Sequence, residues 1–529
     1  MSPDAGFTKA GVNPWLVAPV VALAAFMEVL DISIANVSLQ HIAGDLGAGQ
    51  DESTWVLTSY LVTNAIILPV SGWLSGVMGR KRFFMACIAG FSISSLLCGM
   101  APTLAALIVA RAVQGLTGGG LQPSAQAILA DSFPVRQRGM AFALYGMSVV
   151  FAPAIGPTLG GWITDTASWR WVFLLNVPVG IVLSFLITAM VEDPPHLKEE
   201  REARKGQPLR IDYLGFLLLS VGLGSLQVVL DRGQQDDWFE SAFILWTSIA
   251  CGLSLLSFVL WELGQDDPIV DLHLLQDRNF GFSNILMFLL GFVLMGSTVL
   301  LPSLVQRLFG YTATEAGLVI TPGGFSIMLL MPLVGKLVST FDCRYLIAIG
   351  LLATAGALLH MTGFNLDTDY AHFMWARIYQ AMGLALLFIP INTLAYVGIP
   401  RTKSSSAAAL INMSRNIGGS FGISLTITYL TRQTQVHQTY LSAHTSPVFP
   451  GFRHMMDSMA ANFVSMGDAM SIAKTRAAMQ MAGMVQSQVG MLGYIDDFSM
   501  LGWCFLLLVP FVFVMRAAPR HAAPPPDAH

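Results

Sequence analysis

Apolar stretches of about 20 residues recur along the whole of this 529-residue chain, and each is long enough to cross a bilayer as one helix. We count about fourteen of them. They begin near Leu16, Ser53, Phe83, Leu104, Gly139, Trp171, Tyr213, Ala242, Phe280, Glu315, Tyr345, Phe373, Ser404 and Phe498. With 54% hydrophobic and only 11% charged residues, the composition is not that of a soluble protein. Because a helix satisfies its own backbone groups in lipid, the pattern predicts an all-α integral membrane protein.

Basic residues predict the orientation of these spans, because Lys and Arg accumulate in cytoplasmic loops. With the N-terminus inside, most of the 28 Lys and Arg residues fall on the cytoplasmic side. The groups that do so are Arg80-Lys81-Arg82, Arg136 with Arg138, the run from Lys198 to Arg210, and Arg401 with Lys403. An even number of spans then predicts that both termini are cytoplasmic.

Several classes of function find no support in the sequence. The net charge of −4 is small for this length, and no basic patch is interleaved with aromatic residues, so nucleic acid is not an expected partner. The five cysteines, Cys87, Cys98, Cys251, Cys343 and Cys504, lack the spacing of a metal site or a disulfide framework. A Gly-x-x-x-x-Gly-Lys phosphate loop is also missing. We therefore expect neither an enzyme nor an ATP-driven pump, and no cofactor beyond a proton gradient.

The chain aligns with itself at an offset of 266 positions, which indicates two homologous halves. The aligned pairs are Arg111-Ala-Val-Gln114 with Arg377-Ile-Tyr-Gln380, Pro134 with Pro400 and, at a slightly shifted offset, Pro69 and Gly72 with Pro332 and Gly335. We predict a six-span half at 1–195, a linker with two extra spans at 196–265, and a second six-span half at 266–529.

One connection, from Thr431 to Asp497, is much longer than the others and is rich in Met, Gln and Ala. It contains an amphipathic pattern from Asp468 to Val489 that is typical of a helix. The predicted topology places this segment, 431–497, in the periplasm. Two interpretations stay open, a floppy insertion and a docking surface for a partner outside the membrane.

Glycine and proline are concentrated from Gly146 to Gly161, where a membrane helix is predicted. Each proline removes a backbone donor and bends the helix, and each glycine lets a neighbouring helix approach closely. The residues concerned are Pro153, Gly156, Pro157, Gly160 and Gly161. The run resembles the antiporter signature on the fifth span of proton-driven exporters in the major facilitator superfamily. A packing helix in another kind of membrane protein is the alternative.

Other motifs extend this resemblance to nearly the whole chain. They are Leu30-Asp31-Ile-Ser-Ile-Ala-Asn36-Val37, Arg111-Ala-Val-Gln114-Gly115-Leu-Thr-Gly118-Gly119, Ser168-Trp169-Arg170-Trp171-Val-Phe-Leu-Leu-Asn176-Val-Pro178 and Leu230-Asp231-Arg232-Gly233. Together they resemble the fourteen-span drug:proton antiporters of that superfamily, in particular the EmrB-type exporters. The loop from Gly72 to Lys81 departs from the family pattern, because it lacks the acid and the first base of Gly-x-x-x-Asp-Arg-x-Gly-Arg-Lys.

The resemblance implies a multidrug exporter of the inner membrane of a Gram-negative bacterium, which exchanges amphipathic drugs for protons by alternating access. It also implies two partners, a periplasmic adaptor and an outer-membrane channel. Two alternatives stay open. One is a dedicated exporter of a single metabolite or fatty acid, and the other is a membrane sensor or scaffold without turnover.

Proton coupling needs a protonatable group within the membrane, and Glu28 and Asp31 are the only acids well inside a predicted span. Their three-residue spacing puts them on one helical face. Counted at about 1.5 Å of rise per residue, Arg111 lies at a depth similar to that of Glu28 and is the expected counter-charge. We predict that Asp31 or Glu28 takes up a periplasmic proton as drug leaves and releases it inside. The alternative is a structural acid pair.

The substrate site is expected near the midplane between the halves. Apolar and aromatic walls with a few amides suit amphipathic compounds of varied shape. The candidate lining residues are Phe26, Met27, Asn64, Gln122, Gln126, Tyr145, Asn284, Asn392, Asn412 and Arg415. Helix packing is the alternative role for each of them. Arg377 is not expected to have an acid nearby, so it should bond helix-end carbonyls or polar neighbours such as Gln380.

Overall fold

A computed structural model describes residues 12–193, 212–265, 268–400, 403–445 and 449–516. In chain order the α-helices of these residues are α1 (Pro14–Asp45), α2 (Gln50–Ser53), α3 (Trp55–Met78), α4 (Arg80–Gly99), α5 (Leu104–Gly118), α6 (Leu121–Ser132), α7 (Val135–Thr166), α8 (Arg170–Leu174), α9 (Asn176–Met190), α10 (Tyr213–Arg232), α11 (Ala242–Glu262), α12 (Arg278–Phe309), α13 (Ala313–Thr340), α14 (Cys343–Met361), α15 (Tyr370–Ala395), α16 (Ser404–His444), α17 (Pro450–Ser465), α18 (Met470–Leu506) and α19 (Val509–Val512). Short 3-10 turns at Trp238–Glu240 and Leu272–Gln276 precede α11 and α12.

Within these residues, thirteen helical segments are long and apolar enough to cross a membrane. α5 with α6, α8 with α9, and α18 with α19 each make one such segment. The thirteen coincide with predicted spans, so the all-α membrane fold is confirmed. The remaining predicted span, near Ser404, is the start of α16, a 41-residue helix that is rich in Ser, Thr and Asn. It packs against α3, α12 and α18.

Side-chain caps define where several helices begin. Asn13, Asp277, Asp342 and Asp369 each accept a hydrogen bond from a backbone N–H of the first turn, which stabilises a helix by about 1 kcal/mol. At α15 the His372 side chain and backbone both bond Asp369, which lies just outside the span, and they hold the pKa of that carboxyl below its ordinary value. Each of these caps therefore fixes the residue at which its helix begins.

Two pairs of helices make the most extensive contacts between the two halves. α7 packs along α13, and α3 packs along α16. The extra pair, α10 and α11, packs on α3 through α10. α10 also reaches the second half, because the Ser420 hydroxyl of α16 donates to Gln227 Oε1 at 2.9 Å. The long segment after Thr431 is largely helical, since α16 continues to His444 and is followed by α17 and the start of α18.

Glycines of the antiporter-like run bring α7 close to α1. A Cβ at Gly156 would lie 2.2 Å from Ser33 Oγ, so this position needs glycine, and one at Gly160 would lie 3.1 Å from Ile34 Cα, a tight contact. Gly161 differs from the prediction, because a Cβ there would meet no atom within 4 Å.

Two prolines interrupt the same helix, and Pro157 leaves the Pro153 carbonyl without its helical donor. The Ser33 hydroxyl donates to this carbonyl at 3.4 Å. Ser33 of α1 therefore replaces the hydrogen bond that Pro157 removes from α7.

Candidate functional site

A buried acid–base pair connects α1 and α5 in the first half. Arg111 Nη1 donates to Asp31 Oδ2 at 2.6 Å, and both side chains are 0% exposed. The other carboxylate oxygen, Asp31 Oδ1, accepts Gln114 Nε2 at 3.1 Å and Asn176 Nδ2 at 2.7 Å. Because one cation and two amides meet it, Asp31 has the partners that an ionised carboxylate needs away from water.

A second layer of polar groups holds this pair in place. Arg111 Nε donates to the Val56 carbonyl at 3.2 Å, and its guanidinium lies 4.3 Å from the centroid of the Tyr60 ring. Ser95 Oγ accepts hydrogen bonds from both amides, at 3.1 and 3.0 Å. The same hydroxyl donates to the Phe173 carbonyl at 2.9 Å. Together these groups form a polar cage around Asp31 inside the first half.

Glu28 lies one helical turn from Asp31 in a different environment. It is 1% exposed, its Oε1 accepts Asn64 Nδ2 at 3.0 Å, and its Oε2 has no hydrogen-bond partner among the described residues. Arg111 therefore pairs with Asp31 and not with Glu28, although Arg111 and Glu28 were predicted to lie at similar depths. Asp31 therefore has a cation and two amides as partners for a negative charge, whereas Glu28 has one neutral donor.

Buried amides join the two halves where α6 and α7 face α15 and α16. Gln126 Nε2 donates to Asn392 Oδ1, and Asn412 Nδ2 donates to Gln126 Oε1. The Tyr145 hydroxyl donates to Asn412 Oδ1 at 3.3 Å. All four side chains were predicted to line the substrate site, and the structure brings them into one hydrogen-bonded group.

Two further contacts extend this group toward Glu28. Arg415 Nη2 donates to Gln122 Oε1, and Asn416 Nδ2 donates to Asn64 Oδ1 at 3.4 Å. Since Asn64 also bonds Glu28, the acid is linked to the second half through one amide. We call the whole group the midplane cluster, which consists of Asn64, Gln122, Gln126, Tyr145, Asn392, Asn412, Arg415 and Asn416.

Three predicted lining residues have other surroundings. Asn284 accepts the Ser414 hydroxyl and donates to the Phe280 carbonyl, both at 2.9 Å, so its bonds stay within the second half. Met27 is buried in the apolar core of the bundle, and Phe26 packs against that core. The contacts of these three side chains are those expected for helix packing, which was the alternative role for each predicted lining residue.

Contacts between the halves also close the predicted cytoplasmic end of the bundle. Arg80 and Asp131 form a buried ion pair, and Asp131 Oδ1 accepts the Ser404 hydroxyl of the second half at 2.8 Å. Nearby, Ser75 Oγ and Ser405 Oγ lie 3.4 Å apart across the interface. The loop that lacks the family's acid and first base still supplies Arg80 to this closure.

Asp497 is a buried acid that the sequence placed in the long connection. It lies in α18, is 0% exposed, and neither carboxylate oxygen has a hydrogen-bond partner in the described chain. α18 and α19 together form one apolar segment, Met470–Val512, and Asp497 lies in it, one residue before the predicted span start at Phe498. It is a further buried acid beside Glu28 and Asp31, the two that the sequence placed well inside predicted spans.

Known proteins resemble the chain over most of its length. The sequence profile of the Major Facilitator Superfamily matches residues 21–423. The Fatty acid resistance protein FarB of Neisseria gonorrhoeae is 36% identical over 496 residues, which cover 94% of this chain and 95% of FarB. The Multidrug export protein EmrB of Escherichia coli (strain K12) is 34% identical over 497 residues, which cover 94% of each chain. Among solved structures, the proton:xylose symporter XylE matches with a TM-score of 0.60 and 14% identity over 94% of this chain and 95% of XylE, which indicates a shared fold.

Proposed function

Because the chain belongs to the major facilitator superfamily, in its EmrB-type branch, we propose that it exports amphipathic small molecules in exchange for protons. We place it in the inner membrane of a Gram-negative bacterium, with both termini in the cytoplasm. The observation that carries the proton claim is the buried Asp31–Arg111 pair with a second acid, Glu28, one turn away. Export against a gradient needs an intramembrane acid whose charge changes the preferred conformation.

In the proposed cycle a periplasmic proton neutralises Asp31. Arg111 then loses its counter-charge, and the polar cage around the pair loosens. Since α1 packs along α7, and α7 packs along α13 of the second half, this change reaches the interface between the halves. Glu28 passes the proton between Asp31 and the interface, a role that its bond to Asn64 supports.

The midplane cluster is the proposed substrate site. Its amides bond one another across the two halves, so they need new partners whenever the halves separate. A bound substrate with a few polar groups supplies those partners. Phe388 lies beside Tyr145, with ring centroids 6.1 Å apart, and adds an aromatic wall for the apolar part of the substrate. This combination suits substrates of varied shape.

The segment beyond the spans, made of α17 and the adjoining ends of α16 and α18, is the proposed contact for a periplasmic adaptor that leads to an outer-membrane channel. Large apolar side chains exposed there support a docking surface, among them Tyr440, Met466 and Met479. A photo-cross-linker at position 440 in native membranes tests this proposal. Capture of a periplasmic protein with a single membrane anchor supports it, and cross-links confined to this chain contradict it.

A second candidate function is dedicated export of a fatty acid, which the similarity to FarB favours. A survival panel separates the two candidates. Protection against many unrelated toxic compounds supports multidrug export, whereas protection confined to fatty acids supports the dedicated exporter.

Dye accumulation in cells that lack their own efflux pumps tests the proposed export directly. Cells that express the protein should hold less ethidium than control cells, and a protonophore should abolish the difference. A difference that survives the protonophore contradicts proton coupling. Equal accumulation of every tested dye and fatty acid would favour a sensor or scaffold without turnover.

A further inference from the structure

The second half contains a site that corresponds to the Asp31–Arg111 site of the first half, but one residue of the site differs. At the 266-residue offset, Arg377 corresponds to Arg111 and Gln380 corresponds to Gln114. The same offset places Ser297 at the position of Asp31. The second half therefore keeps the base and the amide but has a hydroxyl in place of the carboxylate.

The Arg377 guanidinium has only neutral partners in the described chain. Its Nη1 donates to Gln380 Oε1 at 2.7 Å and to Ser297 Oγ at 3.2 Å, and its Nη2 donates to Thr298 Oγ1 at 3.1 Å. An arginine carries five N–H donors, so these three bonds do not exhaust its capacity. The side chain is only 5% exposed, and no carboxylate of the described residues forms an ion pair with it. This is a buried cation without a counter-charge, which is expensive in a membrane protein.

A second donor at the same place is unused. Gln380 is 0% exposed, and its Nε2 has no hydrogen-bond partner in the described chain. Its Oε1 is the atom that Arg377 bonds, so the amide group lies against the guanidinium. A buried donor without an acceptor beside an unpaired cation indicates a missing group that is negative and accepts hydrogen bonds.

The backbone of α13 passes close to Arg377. The offset that pairs Pro69 with Pro332 also pairs Tyr60, whose ring covers Arg111, with Gly323. A Cβ at Gly323 would lie 2.9 Å from Arg377 Cγ, so glycine lets α13 pass directly over the side chain. The next residue, Gly324, faces Ala154 of the first half, where a Cβ would lie 2.5 Å from the Ala154 Cβ. Only the thin glycine backbone of α13 therefore separates Arg377 from the interface between the halves.

We propose that Arg377 and Gln380, together with the hydroxyls of Ser297 and Thr298, bind an anionic group. The group is a carboxylate or a small inorganic anion, and it supplies the negative charge that Asp31 supplies in the first half. A carboxylate suits the planar, forked guanidinium through paired hydrogen bonds, with Gln380 Nε2 as an additional donor. If the anion belongs to a transported substrate, which rests on the export function proposed above, the protein accepts anionic amphiphiles through its second half.

Binding to the purified full-length protein in a neutral detergent and low-salt buffer tests the proposal. Sodium octanoate and sodium chloride serve as separate probes, and the readout is the thermal unfolding midpoint. We expect octanoate, chloride or both to raise the midpoint of the wild-type protein. A shift with octanoate alone identifies a carboxylate site, and an equal shift with chloride identifies an inorganic-anion site. No shift with either probe overturns the proposal.

Substitution at Ser297 provides a matched pair of variants. Ser297→Asp places an acid where Asp31 stands in the first half, so it should raise the midpoint without any anion and abolish the response to both probes. Ser297→Asn, of similar size but uncharged, should keep the response. Arg377→Gln should abolish it. An unchanged response in Ser297→Asp contradicts the assignment.

Ethidium movement by the same wild-type preparation in liposomes separates this proposal from the export function. A protein that responds to octanoate but moves no dye under a pH gradient leaves the anion site standing and counts against multidrug export. A protein that moves dye without responding to either anion supports export and overturns the anion site.

Discussion

At the scale of single residues, Asp31 and Glu28 differ in the number of donors that hold their charge. Asp31 receives hydrogen bonds from a guanidinium and two amides, and Glu28 receives one from an amide. Burial makes this difference large, because water is not available to replace a missing donor. The polar cage therefore supplies the partners that the buried Asp31 carboxylate needs.

Removal of the Asn176 amide should weaken transport. Asn176→Ala takes one donor from the charged carboxylate, a loss of about 1.5–3 kcal/mol for a hydrogen bond to a charged group. The polar cage is then incomplete, so gradient-driven dye efflux should fall by about tenfold or more. Efflux measured in liposomes under an imposed pH gradient checks this expectation.

Asn284→Ala is the matched control for that loss, since Asn284 is also a buried amide but bonds only within the second half. Its dye efflux should stay close to the wild-type rate. An equal loss in both variants, or no loss in Asn176→Ala, would contradict the role of the cage in holding Asp31.

The sequence predicted the charged members of the site better than the neutral ones. Asp31 and Arg111 could be found because an ionised group inside a span is rare and needs a partner. Asn176 and Ser95 are neutral residues within apolar segments, where the sequence gives no sign of a partner. Only the packing of α4 and α9 brings them to Asp31 and Arg111. The placement of Asn284 at the substrate site stays a prediction, because the sequence does not tell which face of α12 turns to the other half.

At the scale of helices, contact between α1 and α7 depends on individual glycines. A Cβ at Gly156 would lie 2.4 Å from Ser33 Cβ, an atom that can move only with its backbone. Gly156→Ala should therefore push the helices apart, with a cost of about 1–3 kcal/mol for overpacking. We expect a lower unfolding temperature in detergent and slower dye efflux.

Gly161→Ala, on the same helix, is the control for Gly156→Ala. A Cβ there meets no atom within 4 Å, and alanine favours a helix over glycine by about 1 kcal/mol. Its stability should equal or exceed that of the wild type. Similar losses in both variants would show that α7 is sensitive to any change in the run and not to its contact with α1.

At the scale of the whole molecule, the structure joins its halves at the midplane cluster and at the predicted cytoplasmic end. Alternating access requires the end contacts to open during each cycle. A disulfide in Ser75→Cys with Ser405→Cys, in a background without the native cysteines, should therefore block dye efflux until it is reduced. The two hydroxyl oxygens lie 3.4 Å apart, which makes the pair a suitable site for the cross-link.

A cross-link within one half controls for the presence of a disulfide as such. Ser38 Oγ and Thr164 Oγ1 lie 2.9 Å apart between α1 and α7 of the first half. Ser38→Cys with Thr164→Cys should keep dye efflux under oxidising conditions if each half moves as one body. Efflux that persists in the oxidised Ser75 and Ser405 pair would contradict alternating access at this end.

Thirteen of the fourteen predicted spans correspond to apolar helices of the described chain, because length and hydropathy decide whether a segment can cross a membrane. α16 shows where this signal weakens, since its start was predicted as a span, but the helix carries many polar residues and packs against several other helices. The helical form of the segment after Thr431 was predicted only in part, because exposed helices with scattered methionines lack a strong period. Its place in the periplasm and the cytoplasmic position of the termini stay predictions.

The central claim is that Asp31 couples proton movement to export. The most direct test is ethidium movement by the purified protein in liposomes under an imposed pH gradient, with the wild type beside Asp31→Asn. We predict movement that depends on the gradient in the wild type and is lost in Asp31→Asn, because asparagine cannot bind and release a proton. Equal gradient-driven movement in both proteins would contradict the account and remove Asp31 from the coupling mechanism.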